Sequence, residues 1–175
     1  LEEMRRLRKK HPAVPLYAVI EDLGASGGYY VAAGADRIYV GRSSIVGSIG
    51  VRMDSFGVTG LMEKLGVERR LLTAGENKGF LDPFLPVDPT QKAHAQALLE
   101  DVHRQFIGVV RDGRGKRLKE TPDMFSGLVW TGQKSVELGL ADAFGSLDYV
   151  AREVVKAEKV VDYTQKENLA EKFAR

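Results

Sequence analysis

Apolar and polar positions follow two rhythms along this chain. Leu1, Met4 and Leu7 recur at helical spacing over residues 1–10, and Pro12 and Pro15 stop the helix that they predict. Residues 16–20, Leu-Tyr-Ala-Val-Ile, form a short and nearly all-apolar run, the pattern of a strand buried in a parallel sheet. A glycine–serine turn follows, then an alanine-rich helix over 29–35 and another short strand over 37–40. Strand, tight turn, helix and strand make one βαβ unit, which sets the class as α/β.

A second unit is expected downstream. Residues 49–51 read as an extended piece, 56–65 as a helix capped by Gly66, and 68–73 as a strand. Residues 74–88 carry glycine and proline breaks without a period and read as a loop. Pro89 opens the longest helix, reaching about Asp112, with Leu98, Val102, Phe106, Val109 and Val110 on one face. Trp130-Thr131-Gly132 opens a further short helix that Gly139 closes. Segments 147–157, 160–163 and an amphipathic tail over 169–173 complete the chain, with no internal repeat.

Composition narrows the classes. At 175 residues, 43% hydrophobic and 29% charged, the chain supports one globular domain with a real core. A formal net charge of +2 gives no reason to expect a nucleic-acid partner. The basic run from Arg5 to Lys10 reads as a solvated helix end, where cations are favoured. The absence of cysteine excludes disulfides, thiolate catalysis and cysteine-held zinc. No apolar run approaches the roughly 20 residues that span a bilayer. The chain opens at Leu1 inside a helical pattern, so further chain is expected upstream.

The candidate chemistry starts at "GASGGYY". Gly24, Ser26 and Gly28 fit G-x-S-x-G, with a serine between a buried strand and a helix start. There the Gly27 N–H can face a developing oxyanion, and the glycines let a substrate backbone approach. The alternative is a serine that only caps the helix, with glycines that serve packing or hold a phosphate. A hydrolase elbow would need a late histidine. Only His94 and His103 follow the serine, on different faces of one long helix, where each reads as a solvated or partly packed residue.

Lysine is the other known partner of a catalytic serine. It must be neutral to accept a proton, which requires an apolar or glycine-lined site without a nearby carboxylate. Most lysines here lie among charges on helix surfaces. Lys78, in "TAGENKGFLDPF", is flanked by Asn77 and Gly79 and leads into Phe80 and Leu81, which could exclude water from it. The alternative is a solvated loop lysine.

With these segments in view, the sequence resembles the Ser–Lys signal peptide peptidases of the SppA/SohB type. "ASGGYYVAAGADRIYV" is similar to that family's nucleophile segment, and "SSIVGSIGV" to its next signature. "TAGENKGFLDPF" resembles its lysine segment and "WTGQKSVELGLADAFGSLD" its C-terminal signature. The resemblance implies a ClpP/crotonase-like fold of repeated β-β-α or βαβ units with a largely parallel sheet flanked by helices. It implies Ser26 as nucleophile, Lys78 as general base and Ser48 as the hydroxyl that holds the lysine, beside the Gly27 N–H already read as an oxyanion donor. No metal or organic cofactor is expected.

By the same resemblance, the substrates are signal peptides and other hydrophobic peptides near membranes. The protein would be a homo-oligomer whose lysine can come from a neighbouring subunit. Strands and a membrane anchor would precede residue 1, with the catalytic domain on the extracytoplasmic side. The rival readings are a non-catalytic assembly or binding module of the same fold, a crotonase-like acyl-thioester enzyme and an α/β-hydrolase.

Overall fold

The computed structural model describes residues 1–157 and 159–164. The expected tail over 169–173 lies outside them. Helix α1 (Glu2–Lys10) begins with Glu2 and Glu3 and ends with Arg8, Lys9 and Lys10, so its charges match the helix dipole at both ends. It packs through Leu1 and Met4 over Gly34. Arg8 reaches back to the Gly34 carbonyl and the Asp36 carboxylate.

The strands are short and sort into two sheets. Strands β1 (Tyr17–Ile20), β3 (Arg37–Val40) and β6 (Ala143–Phe144) form one sheet, all parallel, in the order β1-β3-β6. Strands β2 (Leu23–Ala25), β4 (Ile45–Gly47) and β5 (Val129–Thr131) form the other. There β2 and β4 run parallel, while β4 and β5 run antiparallel. Each consecutive strand pair, β1–β2 and then β3–β4, gives its first member to one sheet and its second to the other. This is a β-β-α repeat of the α/β class, as expected.

Helix α2 (Gly27–Ala32) joins the two repeats, and the 26-residue α4 (Pro89–Arg114) crosses it. Asp88 caps α4 by accepting from the Thr90 and Gln91 N–H groups, and Pro89 fits the first turn because it has no N–H to satisfy. At the crossing, a methyl group on Gly113 would overlap the Ala33 carbonyl, so only glycine lets the helices approach. Ile38, Val40, Val46, Ile49, Phe106, Val110 and Leu140 belong to one buried core.

A charged cluster closes the far end of α4. Arg114, 1% exposed, donates from Nε to the Gly139 carbonyl and from Nη1 to Asp142, both at 2.8 Å. Arg117 reaches the other Asp142 oxygen at 3.0 Å, and the Ile38 N–H donates to Asp142 at 2.7 Å. Burial pushes the Asp142 carboxyl up, but Arg114, the Ile38 N–H and Arg117 outweigh it and hold the group below its ordinary value.

Several expectations are corrected. Residues 68–73 form no strand, because they pair with nothing and all but Leu71 are exposed. The strand expected at 49–51 lies earlier, at β4, where it pairs on both sides. Residues 129–131 are a strand before the helix α5 (Gly132–Glu137) begins. The expected helix over 56–65 is α3 (Thr59–Leu65), and Gly66 does cap it, at φ 65°. Segment 147–157 contains α6 (Leu147–Tyr149), which continues as a wider turn over Val150–Val155, and 160–163 has no regular structure.

Candidate active site

The pairing register of β2 with β4 brings two serines to one place. Gly24 pairs with Val46 and Ala25 with Gly47, so the next residues on the two parallel strands are Ser26 and Ser48. The Ser26 N–H continues the ladder to the Gly47 carbonyl at 2.8 Å. The Ser48 N–H donates to the Leu128 carbonyl at 2.8 Å.

Both serines occupy the left-handed region that favours glycine. Ser26 has φ 52° and ψ −124°, and Ser48 has φ 51°. A side chain held in such a conformation costs roughly 1–3 kcal/mol and persists only where the surroundings enforce it. Ser26 stands at the cap position of α2, yet its side chain makes no capping hydrogen bond. The cap reading of this serine therefore fails. Its backbone turns sharply between strand and helix, as a nucleophile elbow does.

The glycines around Ser26 divide by role. A methyl on Gly24 would strike the Ile20 side chain, so Gly24 serves packing. Methyls on Gly27 or Gly28 would meet nothing within 4 Å, so these two keep space open beside the serine. Gly27 is the first residue of α2, where a helix N–H has no partner within the helix. Tyr29 pegs the same helix from below: it is wholly buried and its hydroxyl donates to the Leu140 carbonyl at 2.8 Å. Burial pushes its phenol pKa well up, so it stays neutral.

Ser26, Gly27 and Ser48 all line one cavity of about 620 Å³. Its walls include Tyr30, Val102 and Phe106, with Arg52, Gln105 and the backbone of Gly127 at other points. Tyr30 and Phe106 meet edge to face, with ring centroids 5.3 Å apart. The cavity is large enough for several residues of an extended, partly apolar chain. The sequence predicts one apolar face for α4, through Leu98, Val102, Phe106, Val109 and Val110. Val102, at 50% exposure, shows that the face is shared between core and cavity. The Ser126-Gly127 turn was missed altogether, and a serine–glycine pair between helix and strand was its only signal.

Lys78 is not among the cavity-lining residues. It is exposed, in a turn where its N–H bonds the Gly75 carbonyl at 3.1 Å. Phe80 does not cover it but meets His94 edge to face at 5.7 Å. His94 is exposed, while His103 is half-buried and bonds the Ile49 carbonyl at 3.0 Å. Each histidine is thus solvated or partly packed, as expected. The structure therefore brings together Ser26, Gly27 and Ser48, and leaves Lys78 apart from them within one chain.

A strained serine at a strand–helix turn, beside helix N–H groups and an open cavity, is the constellation of a serine hydrolase. The chain belongs to peptidase family S49, whose model matches residues 8–161, and within it to the SppA/SohB type. It is 46% identical over 132 residues to a Brucella abortus protein named Na(+)/H(+) antiporter NhaA, covering 75% of this chain and 18% of that one. It is 30% identical over 175 residues to "Probable protease SohB" of Haemophilus influenzae, covering 99% and 48%. It is 29% identical over 134 residues to the chloroplastic serine protease SPPA of Arabidopsis thaliana, covering 76% and 20%. The chain thus spans less than half the length of each of these relatives. Among solved structures, it is similar to a mutant membrane-bound stomatin-specific protease in complex with a substrate peptide. That likeness has a TM-score of 0.44 at 13% identity, over 87% of this chain and 58% of the other.

Proposed function

We propose that this chain is the catalytic part of a serine endopeptidase that cleaves hydrophobic, membrane-associated peptides, signal peptides among them. The observation that carries this reading is Ser26, held at φ 52° on the cavity wall without a capping role. The Ser26 hydroxyl attacks the scissile carbonyl carbon, and its proton passes to the neutral Lys78 amine. The carbonyl oxygen gains the negative charge, and the Gly27 N–H stabilises it. Collapse of this intermediate breaks the C–N bond, and the lysine returns its proton to the leaving amine. Water then attacks the Ser26 ester, releases the acid and restores the serine. Ser48 orients the lysine amine, to which a hydroxyl can donate or from which it can accept.

The lysine is supplied, in this reading, by a neighbouring copy. Two features support it. Lys78 stands outside its own chain's cavity, and the lobe that carries it, residues 51–88, presents apolar side chains to solvent, with Phe56 84% and Leu72 97% exposed. No described helix is long and apolar enough to cross a membrane. Attachment to a membrane, with the site on the extracytoplasmic side, is proposed from the likeness to the SppA/SohB type.

A mixing experiment with full-length protein and a fluorogenic hydrophobic peptide tests the reading. Ser26→Ala and Lys78→Ala should each be inactive alone. Mixed under conditions that exchange subunits, they should recover activity, because a Ser26→Ala copy donates its lysine to a Lys78→Ala copy. If Ser26→Ala keeps activity, the nucleophile is misassigned. If both variants are dead and the mixture stays dead, the lysine acts within its own chain. If Lys78→Ala alone stays active, the base is another group.

A further inference from the structure

His103 carries a contact that the Ser–Lys chemistry does not use. It sits on α4 between the cavity-lining Val102 and Gln105, half-buried, and its Nε2 lies 3.0 Å from the Ile49 carbonyl oxygen. The two residues are 54 positions apart in the chain. Since a carbonyl only accepts, Nε2 carries a proton and donates. That nitrogen is therefore occupied and is not poised to receive a proton from a serine.

Ile49 stands between Ser48 and Gly50, both on the cavity wall. Its side chain is wholly buried in the core. The turn it belongs to is tight: the Gly50 N–H bonds the Ser48 carbonyl at 2.9 Å, and the Ser48 N–H bonds the Leu128 carbonyl at 2.8 Å. Among the described residues, His103 is the one side chain hydrogen-bonded to this turn. Helix α4 is a firm base for it, because Phe106, Val109 and Val110 lock the helix into the core. A left-handed serine returns to ordinary backbone geometry unless its neighbours are held on both sides.

We propose that His103 is a positioning residue, whose bond to the Ile49 carbonyl holds Ser48 in its left-handed conformation at the cavity wall. The proposal rests on the reading of Ser48 as the group that orients the lysine amine. A relaxed Ser48 would leave substrate binding largely intact and misplace the base, so the loss falls on kcat rather than KM. Glutamine places its amide nitrogen near the position of Nε2, whereas asparagine stops short of it. His103→Gln should keep the bond, and His103→Asn should lose it.

The test compares wild type, Ser26→Ala, His103→Asn and His103→Gln as full-length proteins, with hydrolysis of a hydrophobic fluorogenic peptide as readout. Ser26→Ala should be inactive. His103→Asn should lose about tenfold in kcat at nearly constant KM, the scale of one hydrogen bond. His103→Gln should recover to within about threefold of wild type, with the pH–rate profile unchanged. Amide hydrogen exchange over residues 48–50 should quicken in His103→Asn and return to the wild-type rate in His103→Gln.

Full activity in His103→Asn, with Ser26→Ala dead, would overturn the positioning role and leave the peptidase reading intact. Activity in Ser26→Ala would overturn that reading, and the exchange rates would still judge the clamp. A His103→Gln enzyme as inactive as His103→Asn, with its acidic limb altered, would make His103 a proton carrier and overturn both. Exchange that quickens throughout the chain, with a lowered Tm, would show general destabilisation and overturn the local clamp.

Discussion

The body around Ser26 and the lobe around Lys78 are built on opposite terms. In the body, residues 16–50 and 89–150 bury one another, and even the charged Arg114 is enclosed, bonded to the Gly139 carbonyl and Asp142. The lobe, residues 51–88, contains no buried residue among those described. It holds itself by the Val58–Pro83 backbone bond and the Arg69–Asp82 pair, and the Leu81 N–H donated to Gln91 ties it to the body. Half of the proposed chemistry thus sits in a region that one copy specifies fully, and half in a region whose apolar surface one copy leaves uncovered. The difference teaches that the body buries its own framework, while the lobe leaves apolar side chains such as Phe56 and Leu72 open, and the proposed reading uses that open surface to place the lysine.

The comparison can be broken by substitutions on either side. The largest effect is catalytic: Ser26→Ala in the body and Lys78→Ala in the lobe should each cut peptide hydrolysis by at least about 10³-fold. Hydrolysis that fell with one variant only would separate the two regions in function. Next comes Asp142→Ala, which leaves the enclosed Arg114 without its carboxylate and should cost about 3–5 kcal/mol, read by urea unfolding. The sign of the acid response follows from the lowered Asp142 pKa. Its stabilisation is complete above the ordinary carboxylate value of 3.8 and is lost as pH falls through the lower native value. Unfolding measured against pH should show this in wild type, with a smaller acid loss in Asp142→Asn.

Phe106→Ala removes a core ring and its contact with Tyr30, and should cost about 3 kcal/mol or more by the same assay. The smallest effect belongs to the lobe. Leu72→Ser should change unfolding of the single chain by no more than about 0.5 kcal/mol, since that side chain is 97% exposed. It should still weaken self-association in analytical ultracentrifugation. A stability loss in Leu72→Ser as large as that in Phe106→Ala would erase the distinction between lobe and body.

The long elements were legible from sequence because period and punctuation agreed over many residues. The helix from Pro89 shows an apolar stripe and a proline start, and β1 and β3 are apolar runs bounded by turns. The short strands were not. β2, β4 and β5 have three residues each and β6 has two, too few to display an alternation. Their identity comes from long-range pairing, which no local window carries. The same reason explains the misread 68–73 segment, whose Leu71-Leu72-Thr73 end offers a short apolar run with no partner. Ser26 was legible through its glycines. Its strained backbone, its lack of a capping role and its meeting with Ser48 emerged only with the β2–β4 register. The contact of His103 with Ile49 joins positions 54 residues apart and has no sequence signature.

That register has a consequence for how the chain can change in length. Because β2 and β4 lie side by side, Ser26 and Ser48 stand opposite each other only while both strands keep their count. One residue inserted within β4 would set Gly47 against Ser26, one deleted would set Ile49 there, and either way the second hydroxyl would leave the site. An insertion in the surface turn at residues 42–43 could bulge outward and leave the pairing alone. Length variation in working relatives should therefore collect in the turns between strands and in the lobe, while the strand ends that carry the serines behave as a fixed ruler.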